Sequence, residues 1–273
     1  MTENNYKLLV VDIDGTLLDK EGNISETDIK ALSQARDAGL LVSLSTGRVV
    51  QASIRFIDQM KLDGYHMFFD GALVYNPEKE EEVYVEPISR ELIRQMIDYS
   101  RRLELDIDLY SITRFFAERE TWATDIRRDF FKINPTIVDF KDIWQTERMI
   151  KGTVVASSGE DKAKADDFVR HFKDELNFSR TGTPAYPGID FTNVIAKGVS
   201  KGKALEALVS FLGIDLAEVM AVGDGANDIS LLSTAGLGVA MDNASAELKA
   251  VADYVTLDVD NNGVAAAVNK FLL

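Results

Sequence analysis

The feature that most constrains this chain is a repeated local order. A short apolar run gives way to a polar, glycine-bearing segment, and residues at helical spacing follow. Lys7 to Val11 (KLLVV), Leu40 to Leu44 (LLVSL) and Val219 to Val222 (VMAV) are runs of this kind. Continuous apolar runs this short fit strands buried on both faces, as in parallel sheets. After the first run, Ser25 stands three residues before Asp28, an N-terminal capping pattern. Ile29, Leu32 and Ala35 then recur at helical spacing until Gly39. After the second run, Val49 to Met60 reads as a helix, and a further strand is expected at Met67 to Phe69, continuing through Ala72 to Tyr75. The C-terminal third keeps the rhythm. Ser200 caps a helix that Gly213 ends, Asp228 opens a short helix, and Gly238 to Met241 and Tyr254 to Leu257 read as strands around a helix at Ser245 to Ala252. This alternation predicts an α/β fold with a doubly wound, parallel, Rossmann-like sheet.

The middle of the chain departs from that rhythm. Glu80, Glu81 and Glu82 form an acidic step that reads as a solvated linker. Then come a helix near Arg90 to Leu103, a hairpin formed by DIDLY and RFFAE with Arg114 after its turn, and a helix around Trp122 to Phe131. A strand near Met149 to Ser157, a helix from Lys162 to Glu175, and two short strands flanking Thr183-Pro184 complete the segment. Paired strands with intervening helices predict an α+β module inserted into the sheet domain. The expected organisation is residues 1–82 and 189–273 as core and 83–188 as insertion, which 273 residues can accommodate.

Bulk properties exclude several functions. A net charge of −15 repels nucleic acid and anionic membrane, so neither is an expected partner. Any phosphorylated ligand must be held by local cations against that field. There is no cysteine, which removes disulfides, thiolate catalysis and thiolate metal sites. The start MTENNYK lacks the features of a signal peptide, and no apolar run approaches the roughly 20 residues of a bilayer span. A cytoplasmic protein is expected. Nothing in the sequence sets an oligomeric state.

The polar segments after the strands carry the chemistry. Asp12-Ile13-Asp14-Gly15-Thr16 follows the first run, and in an extended backbone Asp12 and Asp14 point the same way, toward the crevice where ligands of open α/β sheets bind. Taken alone, this is equally an ordinary Asp-Gly turn. Ser45-Thr46-Gly47-Arg48 follows the second run and opens a helix, which makes it a phosphate seat or a plain helix cap. Gly223-Asp224-Gly225-Ala226-Asn227-Asp228 is more specific, because a simple turn seldom needs so many polar groups beside a buried strand. Position alone does not separate Lys201 from Lys197 or Lys203 as a functional lysine. Together, the strand ends would bring Asp12, Asp14, Asp224 and Asp228 into one crevice. Such a cluster calls for a cation, and its all-oxygen ligands favour a hard ion such as magnesium.

The ordered set DIDGT, STGR, Lys201 within GVSKGKAL, and GDGAND resembles the haloacid dehalogenase superfamily, specifically its Cof-type phosphatases with a large α/β cap. The resemblance implies a magnesium-dependent phosphohydrolase. By that resemblance Asp12 is the nucleophile that forms an aspartyl-phosphate, and Asp14 protonates the leaving oxygen and then activates water. The Asp12 side chain, the Asp14 carbonyl and Asp224 hold Mg²⁺ with support from Asp228. Thr46, Gly47, Lys201 and Asn227 bind the phosphoryl group with the Ile13 backbone N–H. Small phosphorylated metabolites, sugar phosphates first, are the implied substrates. A phosphotransferase or mutase would use the same residues, and a non-catalytic sensor would have no need of both Asp12 and Asp14. One departure stands out: family members often carry Asn-Gly after the third strand, where this chain has Asp70-Gly71. That segment is expected near the core–cap junction, away from the motifs. His66 and His171 read as structural or solvent-facing, Trp122 and Trp144 as buried in the insertion, and Tyr186 with Pro184 and Pro187 as a hinge.

Overall fold

The computed structural model describes residues 5–131, 133–181 and 186–273, so the expectations at Thr183 and Pro184 lie outside the described residues. The chain forms two compact units. The first holds the chain up to Arg48, Ser53–Tyr84 and Ser200–Leu273, and the second holds Val49–Ala52 and Val85–Val199.

The first unit begins with β1 (Leu8–Asp12), α1 (Glu26–Asp37), β2 (Leu41–Ser45), α2 (Val50–Met60), β3 (His66–Phe68), β4 (Leu73–Asn76) and β5 (Glu81–Val85). Between this group and the C-terminal part lie the elements of the second unit. These are α3 (Arg90–Arg102), β6 (Ile107–Tyr110), β7 (Phe115–Ala117), α4 (Trp122–Phe131), β8 (Thr136–Ile137), β9 (Lys151–Ala156), α5 (Gly159–Phe172), β10 (Leu176–Thr181) and β11 (Asp190–Ala196). The first unit resumes with α6 (Lys201–Leu212), β12 (Val219–Gly223), α7 (Ile229–Thr234), β13 (Leu237–Ala240), α8 (Ala246–Val251), β14 (Tyr254–Val255) and α9 (Gly263–Phe271).

The eight-stranded sheet of the first unit has the order β14-β13-β12-β1-β2-β3-β4-β5. β1 lies between β2 and β12 and pairs in parallel with both, which is why its five residues are buried and apolar up to Asp12. Leu8 and Val10 pack against Leu205, Leu208 and Val209 of α6. A buried aliphatic side chain of this kind contributes about 1.5–3 kcal/mol. Ser25 caps α1 as its spacing predicts, and Asp28 reaches from that first turn to accept from the backbone N–H of Ala265 on α9 (2.7 Å).

Three features differ from the sequence reading. β4 runs antiparallel to β3, with His66 opposite Tyr75, so the sheet is parallel only from β14 to β3. Glu81 and Glu82 are not linker residues but open the edge strand β5, where exposed charge deters pairing with other chains. Residues 189–199, expected in the core, belong to the second unit, because β11 exchanges ladder hydrogen bonds with both β10 and β9.

His66 is a buried structural residue. β2 and β3 share one residue pair, Ser45 with Met67, and the Leu44 N–H instead donates to His66 Nδ1 (3.1 Å). Burial pushes the imidazole down to about 4, against a weaker opposing pull from Asp63. A histidine held neutral in the fold but free to protonate when unfolded loses stability as pH falls below about 6.5. Between pH 7 and pH 5 this one group is expected to remove about 2 kcal/mol. Urea unfolding of the native chain and of His66→Asn, whose amide oxygen still accepts but does not titrate, checks this. An equal pH slope in both proteins rules the linkage out.

The second unit is a six-stranded sheet, β10-β11-β9-β6-β7-β8, antiparallel except between β7 and β8. Its core joins Met96 and Ile97 of α3 and Phe168 and Phe172 of α5 to Leu109, Phe116, Val154 and Val194. Beside it Arg127 is buried with its guanidinium on Asp108 (2.5 Å) and the Tyr110 hydroxyl (2.6 Å). Burial pushes Asp108 up to about 6 even so. Trp144 packs against this core, but Trp122 is 44% exposed, contrary to its expected burial. His171 stacks on Tyr99 at 4.0 Å between centroids, and the Tyr186 hydroxyl donates to Asp129 (2.9 Å).

Candidate active site

Every residue of the site lies in the first unit. β1, β2 and β12 are neighbours and parallel, so their carboxyl ends come out on one side and their polar sequels meet there.

Asp12 is the last residue of β1 and only 5% exposed. The chain then turns through Gly15, whose φ of +86° favours glycine, and a Cβ there would lie 2.2 Å from Asp224 Oδ2. That contact explains the glycine: the Asp224 carboxylate, just past β12, rests on the backbone of the first motif. Thr16 Oγ1 donates to Asp224 Oδ1 (3.0 Å), tying the two motifs across 208 residues.

Lys201 answers the question its position left open. It is fully buried, and its Nζ donates to Asp12 Oδ1 (2.5 Å), Asp228 Oδ1 (2.6 Å) and the Ser45 carbonyl (3.3 Å). Lys197, by contrast, reaches the Lys173 carbonyl in the second unit (3.2 Å) and Lys203 lies on the exposed face of α6. Asp228 is also fully buried, and its second oxygen accepts from the backbone N–H groups of Asp224 (3.1 Å) and Gly225 (2.9 Å). Asp228 therefore shapes the loop and orients Lys201 at once.

The electrostatics follow from this crowding. Burial and the neighbouring Asp228 push Asp12 well above the usual carboxylate range, while Lys201 pulls it down. Burial and Asp228 push Asp224 up to about 6. Burial alone would lower Lys201, but Asp12, Asp228 and Asp70 outweigh it and hold the ammonium charged. Carboxylate oxygens of Asp12, Asp224 and Asp228 lie within 4.8 Å of one another. One ammonium does not balance three carboxylates, and the donors are all oxygen. The cluster has the charge and ligand chemistry of a hard divalent cation site.

Asp14 stands apart from that cluster. Its side chain is 53% exposed and takes the fork of Arg48, with Nη2 to Oδ1 at 2.6 Å and Nε to Oδ2 at 2.8 Å. The Arg48 guanidinium also lies over the Phe56 ring (5.2 Å). Thr46 is buried, and its Oγ1 accepts from the Arg48 N–H (3.1 Å), which fixes the turn that aims the fork. Ile13 is buried, and its carbonyl accepts from Leu17 and Leu18.

Asp70 is a correction to the sequence reading. It lies among the motifs, accepting from Asn227 Nδ2 (2.8 Å) beside Gly47. Arg48 and Thr16 stood inside quoted motifs without an assigned role. Asn243 was missed altogether: its Nδ2 donates to the Gly15 carbonyl (2.8 Å) and to Asp224 Oδ2 (3.3 Å). It follows β13, so the strand-end rule applied to a fourth strand would have found it.

This chain resembles known proteins along nearly its whole length. The profile of haloacid dehalogenase-like hydrolases matches residues 9–268. The Bacillus subtilis 5-amino-6-(5-phospho-D-ribitylamino)uracil phosphatase YcsE is 28% identical over 98% of this chain and 97% of its own. A haloacid dehalogenase-like hydrolase from Bacteroides thetaiotaomicron superposes with a TM-score of 0.85 at 26% identity, covering 97% of this chain and 99% of that one. The HAD subclass IIB sugar phosphatase BT4131 superposes with a TM-score of 0.78 at 29% identity, over 97% of this chain and 98% of its own. With its acidic cluster and buried lysine at the carboxyl ends of parallel strands, the chain belongs to the haloacid dehalogenase-like hydrolases and is a phosphatase of that family.

Proposed function

We propose that this phosphatase is magnesium-dependent, works through an aspartyl-phosphate on Asp12, and acts on small phosphorylated metabolites, sugar phosphates first. The observation that carries the reading is the buried Lys201 Nζ held between Asp12 and Asp228, next to Asp224. A carboxylate and a phosphate monoester repel each other, and a fixed ammonium beside the attacking group offsets that repulsion.

Asp12 attacks phosphorus and the substrate alcohol leaves, taking a proton from Asp14. Water then cleaves the acyl phosphate, and Asp14 accepts the proton released. Because Arg48 grips both oxygens of Asp14, the carboxyl must slip one arm of the fork to carry that proton. Thr46, Gly47, Asn227 and the Ile13 N–H would cradle the phosphoryl oxygens. Asp12, the Asp14 carbonyl and Asp224 would hold the magnesium ion, with Asp228 behind them. When bound, magnesium supplies positive charge to the phosphoryl oxygens. The substrate class draws on the sugar phosphatase and the 5-amino-6-(5-phospho-D-ribitylamino)uracil phosphatase among the similar proteins.

The test is phosphate release from a panel of sugar, polyol and nucleotide monophosphates, with magnesium or with chelator, for the native chain and Asp14→Asn. Magnesium-dependent release that falls about 10²–10⁴-fold in Asp14→Asn is expected. Phosphate passing to a second sugar instead of water would reassign the chain as a transferase. Release that ignores both magnesium and Asp14 would remove the mechanism.

A further inference from the structure

We infer that Asp70 is a positioning residue of the phosphate seat, fixing the direction in which the Asn227 carboxamide presents its N–H groups. This deepens the reading just proposed and rests on it for the identity of the ligand.

The argument begins with backbone conformation. Phe69, Asp70 and Gly71 have φ of 55°, 56° and 96°, three successive residues in the left-handed region. For two side-chain-bearing residues that is costly, and such outliers persist only where the surroundings over-determine them. Here they do. The Phe69 N–H donates to the Arg48 carbonyl (3.1 Å) and the Asp70 N–H to the Thr46 carbonyl (3.0 Å), so the loop is stitched to the Thr46-Gly47-Arg48 turn. On its other side, a Cβ at Gly71 would lie 2.3 Å from the Ser200 carbonyl, at the residue that caps the helix carrying Lys201. The Phe69 ring is fully buried. The loop has one place to be.

That place aims a carboxylate at the seat. A Cβ on Gly47 would meet Asp70 Oδ1 at 2.8 Å, so the second motif needs glycine there to let Asp70 in. The same oxygen accepts from Asn227 Nδ2 at 2.8 Å. A carboxylate without a proton only accepts, so it must face the amide nitrogen and not the amide oxygen. The oxygen of Asn227 is turned the other way, 2.5 Å from where a Cβ on Gly225 would stand. One N–H of the amide is thereby spent on Asp70, and the second is fixed in direction. An asparagine at this position could face Asn227 with either end of its amide. A negative group so near a phosphate seat would repel the ligand, and the gain from orienting Asn227 has to exceed that repulsion.

The experiment is a double-mutant cycle over Asp70→Ala, Asn227→Ala and the pair, with Asp70→Asn as the conservative variant. Two quantities are read with magnesium present: inorganic phosphate affinity by calorimetry, and KM and kcat for one phosphate monoester. Asp70→Ala and Asn227→Ala are each expected to weaken phosphate binding about tenfold, with the loss of turnover mainly in KM. The pair should be within about twofold of Asn227→Ala alone, because a positioning residue has no effect once its target is gone. Asp70→Asn should keep affinity within about threefold by offering its amide oxygen. Losses that multiply in the pair, tighter phosphate binding in Asp70→Ala, or a lowered melting temperature with unchanged affinity would each overturn the inference. Failure of the proposed function looks different. Turnover independent of magnesium and Asp14 removes the mechanism, whereas the phosphate-binding cycle still reports on the Asp70–Asn227 pair.

Discussion

Asp12→Asn is expected to lower phosphate release by about 10⁴–10⁶-fold at saturating substrate while leaving a folded protein. An amide is isosteric with the carboxylate but cannot attack phosphorus. The large loss follows because the neighbouring machinery, Lys201 above all, acts through that one oxygen pair. Lys201 keeps its bonds to Asp228 and to the Ser45 carbonyl. Removing one of the buried carboxylates also relieves the burial of its charge and its repulsion with Asp228 and Asp224. The stability change is therefore expected to stay within about 2 kcal/mol by urea unfolding. Activity within tenfold of native in a verified fold would exclude Asp12 as nucleophile and leave the acidic cluster with a binding role only.

The second large effect concerns Lys201. Lys201→Met keeps the length and bulk of the side chain and removes its charge. Asp12 and Asp228 would then be buried without their cation, a situation that costs about 3–5 kcal/mol when one partner of a buried pair is removed. The pH dependence follows from the direction of the Asp12 shift. A carboxyl whose folded value lies above its unfolded value binds its proton more tightly when folded, so stability falls as pH rises through that interval. In the variant nothing restrains that upward shift, and stability should recover as pH is lowered from 7 toward 5. Magnesium should also stabilise the variant at neutral pH, since a ligand that binds only the folded state adds to its stability. Chemical unfolding at two pH values, with and without magnesium, reads both effects. A variant as stable as the native chain, with no response to pH or magnesium, would mean that the three carboxylates do not share one field.

Much of this chain's fold is legible in its sequence, and the reason is local. β1 is readable because a strand flanked by two parallel neighbours is buried on both faces and therefore apolar, as Leu8 to Val11 are. The caps at Ser25 and Ser200 are readable because a helix start exposes N–H groups that a hydroxyl three residues back can accept from. Asp12, Asp14, Thr46, Gly47, Asp224, Asn227 and Asp228 stand in polar segments that follow strands, and parallel strands deliver such segments to one edge. The acidic strand β5 was misjudged because an edge strand tolerates polar residues, so periodicity carries little information there.

What remained was decided by separation along the chain. Lys201 and Asp12 are 189 residues apart, Asn227 and Asp70 are 157 apart, and Asn243 and Gly15 are 228 apart. Without the resemblance, Lys197, Lys201 and Lys203 look alike. Only the turn of α6 against the sheet buries one of them between two carboxylates. Asp70 looks like any Asp-Gly turn until three left-handed residues fold it back onto Gly47. The sequence alone determined which strand ends carry acids and amides, because that follows from short-range pattern and the handedness of parallel βα units. The tertiary structure decided which of those groups hold one another, because charge, burial and donor direction act through space.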